Sequence, residues 1–386
     1  MQVLGLSEDE LEKRGAAWTV REIAQQPEVW GRLGAAIGAD DGELAGFLAP
    51  LLARADMHVI FTGAGTSSFI GQCLVPSMRA KWRRWVEAVS TTDLVASPGK
   101  WLVAEVPTLL VSFARSGGSP ESLAALDVAE QALGECHHLV ITCNDDGALA
   151  RRARTLPNAR VLVMDDSTND RGFAMTSSFS SMLLAAARLF QLIPATGVDA
   201  AADRAREILA RTPALADELA RAGYERVVFL GSGELGALAR ESALKMLELT
   251  DGRVVAVAET PLGFRHGPKT IVNGKTIVVV YLSNDPYTRR YDLDLLRELR
   301  SDAIAARVLA LSGQSNPGAA HGDEIALAGN GDASDLELCL PFVVFAQSFA
   351  VRQSLGLGLR PDTPNAAGIV SRVVRGVTIH PWETER

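Results

Sequence analysis

Short apolar runs alternate with longer amphipathic stretches along most of the 386-residue chain. The runs have the length of β-strands and are almost continuously apolar, which is typical of parallel strands covered by helices on both faces. They are HVIFT (58–62), TLLVSF (108–113), HLVITC (138–143), RVLVM (160–164), VVFLG (227–231), TIVVVYL (276–282) and RVLALS (307–312). The pattern predicts an α/β fold with parallel sheets.

The two halves of the chain resemble each other in strand spacing and in the turns that follow the strands. VIFTGAG at 59–65 is similar to VVFLGSG at 227–233, and the runs at 108 and 138 have counterparts at 276 and 307. We therefore predict a tandem duplication of one doubly wound, flavodoxin-like unit. Unrelated α/β domains also show similar strand spacings, so that alternative stays open at this stage.

The expected domain organisation has three parts. Residues 1–45 form an N-terminal helical segment, in which Thr19 and Glu22 have the spacing of a capping box that starts a helix. Residues 46–200 form the first α/β domain, and residues 201–386 form the second with a C-terminal tail. The stretch 192–222 reads as a helix that Pro213 interrupts.

Composition excludes several functional classes. The formal net charge is −8, so the chain has no electrostatic footprint for nucleic acid. No apolar run approaches the about 18 residues of a membrane span. The N-terminus MQVLGLSEDELEKRG lacks the apolar core of a signal peptide. We expect a cytoplasmic protein that binds neither nucleic acid nor membranes.

The cysteines are few and scattered. Cys73, Cys136, Cys143 and Cys339 show no CxxC spacing. We therefore expect neither disulfides nor a zinc site. No metal and no other cofactor is expected.

Three loops of the first half are rich in glycine and hydroxyl residues. They are TGAGTSSFIG (62–71), ARSGGSPES (114–122) and RGFAMTSSFSS (171–181). Strand ends that lead into helix N-termini present backbone N–H groups, so such loops can hold a phosphate, although helix caps use the same residues. The candidate ligands are Gly65, Thr66, Ser67, Ser116, Gly117, Ser119 and Thr176. GAG is too short for a Walker loop and lacks the full dinucleotide fingerprint.

In the second half, SNDPYT (283–288) follows the strand that matches the one before SGGS. This segment has no glycine pair. The duplication is therefore expected to keep one phosphate site for two repeats.

A carboxylate and a histidine in the second half are candidates for acid–base chemistry. Glu241, Lys245 and Glu248 share one face of a predicted helix. An ion-pair ladder is the ordinary interpretation of such a stripe. Because this helix follows a strand-end loop, we expect Glu248 in the ligand crevice as a general base. His266, in the turn GFRHGPK, is the candidate for proton transfer between sugar oxygens.

The motifs TGAGTSSFIG, SFARSGGSPES, HLVITCNDDGAL, DRGFAMTSS, ARESALKMLEL, GFRHGPK, PYTRRYDLDLL and GVTIHPW resemble SIS (sugar isomerase) domains. Together they closely resemble the bacterial AgaS family of galactosamine metabolism. The resemblance implies tandem SIS domains. It also implies deamination of galactosamine 6-phosphate to a tagatose phosphate through an enolamine. A homodimer or homotetramer with a shared active site is expected.

Site roles follow from resemblance to the isomerase half of glucosamine-6-phosphate synthase. It implies phosphate contacts for Ser67, Ser116 and Ser119, and a substrate contact for Thr176. Glu248 corresponds to the proton-abstracting glutamate. Lys245 and Glu241 correspond to residues of the same helix, and His266 to a ring-opening histidine donated across the dimer.

Two positions depart from that synthase. Ala114 and Arg115 replace a serine and a glutamine, so a hydroxyl is lost and a guanidinium that can bind phosphate is gained. Arg375 replaces a lysine near the sugar ring, and a guanidinium forms no Schiff base.

Three alternatives stay open. The first is a phosphosugar aldose–ketose isomerase that retains nitrogen, and the second is a deaminase for glucosamine 6-phosphate. The third is a non-catalytic phosphosugar sensor. A sensor would usually carry a DNA-reading segment, and residues 1–45 are neither basic nor helix-turn-helix-like.

Overall fold

The computed structural model describes residues 2–39, 42–314, 323–327, 331–374 and 376–383. The chain forms two compact units, each built from several segments. The first-repeat unit comprises Val29–Asp170, Ser177–Ala195 and Ala367–Arg386. The second-repeat unit comprises Met1–Glu28, Arg171–Thr176 and Thr196–Ala366. These units are defined by packing, so the predicted domain boundaries at residues 45 and 200 stay a prediction.

Strands and helices alternate as the apolar pattern predicts. The strands are β1 (Gln2–Val3), β2 (Leu6–Ser7), β3 (His58–Thr62), β4 (Val86–Ala88), β5 (Thr108–Ala114), β6 (Cys136–Thr142), β7 (Ala159–Val163), β8 (Arg226–Leu230), β9 (Val255–Glu259), β10 (Thr276–Leu282), β11 (Arg307–Ser312) and β12 (Glu324–Ala326). The helices are α1 (Glu8–Arg14), α2 (Ala17–Ala24), α3 (Gln26–Ala39), α4 (Glu43–Ala53), α5 (Thr66–Trp82), α6 (Thr91–Ala96), α7 (Pro120–Ala132), α8 (Ala148–Arg154), α9 (Ser177–Leu189), α10 (Ala195–Arg221), α11 (Gly233–Leu249), α12 (Pro261–Phe264), α13 (Thr288–Asp302) and α14 (Asp335–Gly356). Short 3₁₀ turns span Pro98–Lys100, Asp166–Thr168 and Pro268–Ile271.

Each unit contains a five-stranded parallel sheet. The order is β4-β3-β5-β6-β7 in the first-repeat unit and β12-β11-β10-β8-β9 in the second-repeat unit. Numbered within each repeat, both sheets have the order 2-1-3-4-5 of flavodoxin-like folds. The predicted α/β class and the tandem arrangement are thereby confirmed. In each sheet the first and third strands of the repeat are neighbours, and ligands of such folds bind beyond their carboxyl ends.

The second-repeat sheet has two clearly different faces. On one face, Tyr281 stacks on Phe342 of α14 at 5.6 Å and shares a 2.8 Å hydrogen bond with Ser242 of α11. On the other face, Val280 and its neighbours pack with Phe264 and with leucines of α13. Successive residues of a strand point to opposite faces. Therefore α11 and α14 cover one face, and α12 and α13 cover the other.

Among the described residues, one helix is long and apolar enough to cross a membrane, namely α14. Its apolar window is fully buried inside the protein. The helix packs against α11 and α2, so it is the central core helix of the second-repeat unit.

The capping box predicted at Thr19 and Glu22 is wrong. Helix α2 begins at Ala17, and both side chains are buried. Thr19 donates a 2.7 Å hydrogen bond to Asp362, and Glu22 accepts from the backbone of Gly172. The polar side-chain atoms of Thr19 and Glu22 therefore bind residues distant in sequence instead of the backbone amides that a cap would contact. Helix α10 also runs continuously through Pro213, so the predicted interruption there is wrong as well.

The loop after β9 is fixed to the core by Phe264, which gives a test of the two-faced packing. Phe264 is fully buried in the cluster with Leu295 and Leu299. We expect Phe264→Ala to lower the free energy of unfolding by about 3–5 kcal/mol, because it leaves a cavity in a core that cannot collapse completely. Urea unfolding followed by circular dichroism measures this loss.

Leu262 provides the matched control, because it lies two residues away and is 48% exposed. Leu262→Ala should change the free energy of unfolding by less than about 0.5 kcal/mol. Equal losses in the two variants would contradict the assignment of Phe264 to the core.

Candidate phosphosugar site

The first predicted phosphate loop connects β3 to α5. Gly65 precedes the helix with φ +55°, a backbone conformation that favours glycine. A Cβ on Gly63 would lie 2.7 Å from the backbone carbon of Ser67, so this close turn requires glycine. Thr66 and Ser67 are buried in the first turn of α5. The loop thus brings an exposed glycine and the start of a long helix to the carboxyl end of β3.

The second predicted loop, SGGS, connects the neighbouring strand β5 to α7. Gly117 has φ +59°, and its carbonyl accepts a 2.9 Å hydrogen bond from the Leu149 amide. Asn144 donates a 2.9 Å hydrogen bond to the Ser116 carbonyl. The shape of the loop is therefore held by groups that follow β6, while the Ser116 side chain remains partly exposed.

Ser119 has the capping role that the ordinary interpretation of such loops implies. Its hydroxyl accepts from the Ser122 amide at 3.4 Å and lies 2.7 Å from the Ser122 hydroxyl. The half-buried Ser119 thus begins α7 directly beside SGG. Because β3 and β5 are adjacent, the structure brings the first two predicted loops to the same edge of one sheet.

The third loop differs from the first two. The carboxylate of the fully buried Asp170 accepts hydrogen bonds from the Ser177 amide at 3.1 Å and the Ser178 amide at 2.9 Å. The N-terminus of α9 therefore already holds an internal anion. Thr176 is fully buried in the second-repeat unit, where its carbonyl accepts from Gln347 at 3.3 Å. Sequence reasoning missed Asp170, because its role depends on a turn of eight residues rather than on a local capping motif.

The corresponding crevice of the second repeat is also filled by a carboxylate. Asp292 of α13 accepts from the Ser232 hydroxyl at 3.1 Å and from the Ser283 amide at 2.9 Å. Ser232 follows β8 and Ser283 follows β10, the two strands that flank the switch point. Asp335 accepts from the Asn284 amide at 2.7 Å beside them. Buried acidic groups repel a phosphate, so this arrangement supports one phosphate site for two repeats, which stays a prediction.

The three residues predicted on one face of α11 form a buried charge cluster. Lys245 and Glu241 are fully buried, with the Lys245 ammonium 3.5 Å from a Glu241 oxygen. Lys245 also donates a hydrogen bond to Glu248, whose side chain is 27% exposed. Within this cluster Glu248 is the carboxylate that reaches the surface. A buried ammonium between two carboxylates holds the accessible one in a fixed orientation.

The direction of α11 determines the position of Glu248 within its unit. Glu248 lies in the last turn of α11, about 22 Å along the helix axis from Gly233 at a rise of about 1.5 Å per residue. It therefore lies away from the carboxyl ends of its own sheet, and its predicted place beside a sugar held by the first repeat stays a prediction. The helix returns to the opposite edge, as every helix between parallel strands must.

His266 lies on the other side of the same sheet. It is exposed and follows the buried Phe264, which packs on the face covered by α12 and α13. Its segment is fixed to α13 by a 2.8 Å ion pair between Arg265 and Glu298. Since α11 covers the opposite face, one second-repeat unit holds Glu248 and His266 on different faces of its sheet.

Arg115 is 7% exposed, and its guanidinium donates a 2.7 Å hydrogen bond to the carbonyl of Arg372. This contact with the C-terminal segment of the first-repeat unit was not expected from the sequence. Ala114, beside it, is the last residue of β5 and is buried. Arg375 lies outside the described residues.

The remaining histidines and the cysteines behave as structural groups where they are described. Burial lowers the pKa of His58 to about 4, and its ring stacks on Trp85 at 4.0 Å.

His138 is 2.8 Å from a Glu130 oxygen and 3.3 Å from the Cys136 sulfur. These three groups could hold a metal ion by proximity, but they already satisfy one another. His137 pairs with Glu135, the exposed His380 lies in the C-terminal segment, and His321 lies outside the described residues.

Comparison with known proteins identifies the fold more closely. The SIS domain family model matches residues 51–192. An AgaS protein of Streptomyces coelicolor is 53% identical over 369 residues, covering 95% of this chain and 96% of the relative. D-galactosamine-6-phosphate deaminase AgaS of Escherichia coli is 46% identical with the same coverage of both chains. The solved structure of tagatose-6-phosphate ketose/aldose isomerase from Escherichia coli is 44% identical, has a TM-score of 0.88, and covers 95% of this chain and 97% of its own.

Two parallel sheets with glycine- and hydroxyl-rich loops at the switch point define a SIS-domain protein of the phosphosugar-binding class. Within that class, near full-length identity of 46–53% is decisive. The chain belongs to the AgaS family.

Asp292 should make the free energy of unfolding depend measurably on pH. Burial raises the pKa of Asp292 to about 6, against the lowering effect of its hydrogen bonds from Ser283 and Ser232. In the unfolded chain the pKa of an aspartate is about 3.9. The folded state therefore takes up this proton first as the pH falls. Relative to Asp292→Asn, the wild-type free energy of unfolding should rise by about 1 kcal/mol between pH 7 and pH 5.

Urea unfolding at both pH values measures this difference, and Asp294→Asn is the control. Asp294 lies on the same helix but is exposed and pairs with Arg297. Its variant should follow the wild type at both pH values. A wild type that shows no relative gain at pH 5 would contradict the buried, ionisable Asp292.

Proposed function

We propose that this chain converts galactosamine 6-phosphate and water into a tagatose phosphate and ammonia. The strongest support is the near full-length identity to the Escherichia coli deaminase. The two phosphate loops at the switch point of the first-repeat sheet, and a surface-reaching glutamate held by a buried lysine, fit that chemistry. The four cysteines are buried thiols outside any disulfide, which is typical of a reducing compartment such as the cytoplasm.

The phosphate group is proposed to bind at the loops that follow β3 and β5. Gly65, Thr66 and Ser67 supply the start of α5, while Ser116, Gly117 and Ser119 supply the start of α7. The amides and hydroxyls there are complementary to a dianion, and the helix dipoles add partial positive charge. Arg115 adds charge beneath the second loop. Thr176 and Arg375 remain proposed substrate contacts on the basis of family resemblance.

Glu248 is proposed as the general base. In the open-chain sugar it removes the proton on C2, and the electrons form an enolamine between C1 and C2. Return of a proton to C1 gives a ketimine. Water then adds to the C=N bond, and ammonia leaves to give the ketose. Lys245 and Glu241 hold the Glu248 carboxylate in place, because their buried charges fix the last turns of α11.

His266 is proposed to open the sugar ring by moving a proton between ring and anomeric oxygens. Glu248 and His266 lie on opposite faces of the same sheet, so one copy of the unit is poorly suited to apply both to one sugar. We therefore propose a homodimer, or a homotetramer built from such dimers, in which each active site combines Glu248 of one subunit with His266 of another.

A second candidate function is isomerisation of a phosphosugar without loss of nitrogen. A solved relative at 44% identity carries the name tagatose-6-phosphate ketose/aldose isomerase. Proton transfer between C1 and C2 is common to both reactions, so Glu248 serves either. The nitrogen on the substrate decides between them.

Ammonia release tests the proposed reaction. Wild-type protein should release ammonia faster from galactosamine 6-phosphate than from glucosamine 6-phosphate. Glu248→Gln should lower this rate by about 100- to 10,000-fold, because the amide cannot accept the C2 proton. Binding of inorganic phosphate should be unchanged, because the loops after β3 and β5 remain intact.

The control is Glu207→Gln, a change of the same chemistry at a residue that pairs with Arg211 on the surface of α10. Its rate should equal that of the wild type. Conversion of tagatose 6-phosphate to an aldose phosphate without any ammonia release from either amino sugar would favour the isomerase instead. A native rate in Glu248→Gln would show that another group is the base.

Mixing two inactive variants tests the shared site. If each site combines two subunits, equal amounts of Glu248→Gln and His266→Asn subunits that reassociate at random restore an intact pair in about a quarter of the sites. We therefore expect about a quarter of wild-type activity from the mixture, measured as ammonia release after subunit exchange.

The same arithmetic holds for dimers and for tetramers built from two such dimers. Each variant mixed with itself should stay inactive and provides the baseline. A mixture that stays at this baseline, although exchange of differently tagged subunits is demonstrated, would mean that Glu248 and His266 of one chain act together.

A further inference from the structure

The C-terminal segment of the chain is attached to the first-repeat unit at two separate points. Its described residues, 367–374 and 376–383, contain no helix or strand. Near its end, the carbonyl of Trp382 accepts a 2.7 Å hydrogen bond from Gln131, and its ring packs on the cluster under α6 and α7. The other attachment lies ten residues earlier, at Arg372.

Arg372 contacts one predicted substrate loop and the two residues that directly precede another. Its backbone carbonyl accepts the 2.7 Å hydrogen bond from Arg115, the residue directly before SGGS. Its guanidinium donates to the carbonyl of Asp170 and, at 3.3 Å, to the side-chain oxygen of Asn169. Asp170 in turn caps α9. One exposed residue therefore joins the phosphate loop to the start of α9.

Because Arg115 is buried, its hydrogen bond to the Arg372 carbonyl matters for the position of the phosphate loop. A guanidinium that is 7% exposed needs acceptors for its donors, and the Arg372 carbonyl supplies one. Movement of that carbonyl would remove an acceptor from Arg115, the residue directly before Ser116. The position of the phosphate loop is thus coupled to the C-terminal segment.

From these contacts we infer that Arg372 is a positioning residue for phosphate binding. It holds the Arg115 side chain, and through it the SGGS loop, in the shape that accepts an oxyanion. This inference rests on the proposed function only in taking the loop after β5 as the phosphate site. Arg372 is assigned no contact with the reacting carbons, so its effect is on binding rather than on the chemical step.

The test compares Arg372→Ala, Arg372→Lys and Arg83→Ala by two measurements. Titration calorimetry with inorganic phosphate measures the loop directly, and ammonia-release kinetics separate KM from kcat. Arg372→Ala keeps the backbone carbonyl that Arg115 contacts but removes the guanidinium that anchors this carbonyl to Asp170 and Asn169. Loss of these charge-assisted hydrogen bonds should weaken phosphate binding by about fivefold to twentyfold. KM for the phosphosugar should rise by a similar factor, with kcat within about twofold of wild type because Glu248 is untouched.

The other two variants distinguish the loss of the contacts made by Arg372 from a general effect of removing a positive charge. Arg372→Lys should recover most of the affinity, since an ammonium can donate to the same two oxygens. Arg83 is an exposed arginine at the far end of α5 in the same unit, so Arg83→Ala removes an equal charge and should bind phosphate like wild type.

The inference is overturned if Arg372→Ala binds inorganic phosphate as tightly as wild type. It is also overturned if Arg83→Ala weakens binding equally, or if kcat falls while phosphate affinity is kept. Should wild type bind phosphate but release no ammonia, the proposed reaction fails while the phosphate titration still decides the role of Arg372.

Discussion

Every helix that joins two parallel strands must return the chain to the opposite edge of the sheet, and this constraint determines where the loops after the strands lie. It collects the loops that follow the strands at one edge, where helices begin and their amides lack partners. The strand order 2-1-3-4-5 then makes the first and third strands of each repeat neighbours. Each repeat therefore has one crevice at this edge, where ligands of such folds bind.

The two repeats have different groups at these equivalent strand ends. In the first-repeat unit, glycines at 63, 65 and 117 bring the backbone close and leave the loop surface open. In the second-repeat unit, Asp292 supplies an internal carboxylate to the hydroxyl and amide at the equivalent strand ends. A buried carboxylate repels a second anion, and removing it would leave polar groups without partners. The two crevices therefore differ, because an internal carboxylate occupies that of the second repeat while the proposed phosphate loops flank that of the first.

The sequence was sufficient for the features that depend on local pattern. Continuously apolar runs located seven strands of the two sheets, and the glycine and hydroxyl residues located the loops after β3 and β5. The strands β4, β9 and β12 of these sheets were not predicted. Features that depend on contacts between distant residues were not accessible. The capping of α9 by Asp170, the filling of a crevice by Asp292 and the contact of Arg115 with Arg372 each join segments whose separation carries no periodic signal. The sequence pattern also did not indicate that Glu248 lies far from the crevice of its own sheet. The reason is different, because a helix that begins at a crevice has its last turn at the opposite edge.

The position of Glu248 has a consequence for how the chemistry is assembled. A base at the far end of α11 cannot serve the crevice of its own sheet, and that crevice already holds a carboxylate. The proposed phosphate loops belong to the first repeat and the proposed base belongs to the second, so the two repeats would have different roles in the proposed reaction. His266 lies on yet another face. If Glu248 and His266 both act on one sugar, as proposed, their placement on opposite faces of one sheet favours a site to which two copies of the chain contribute.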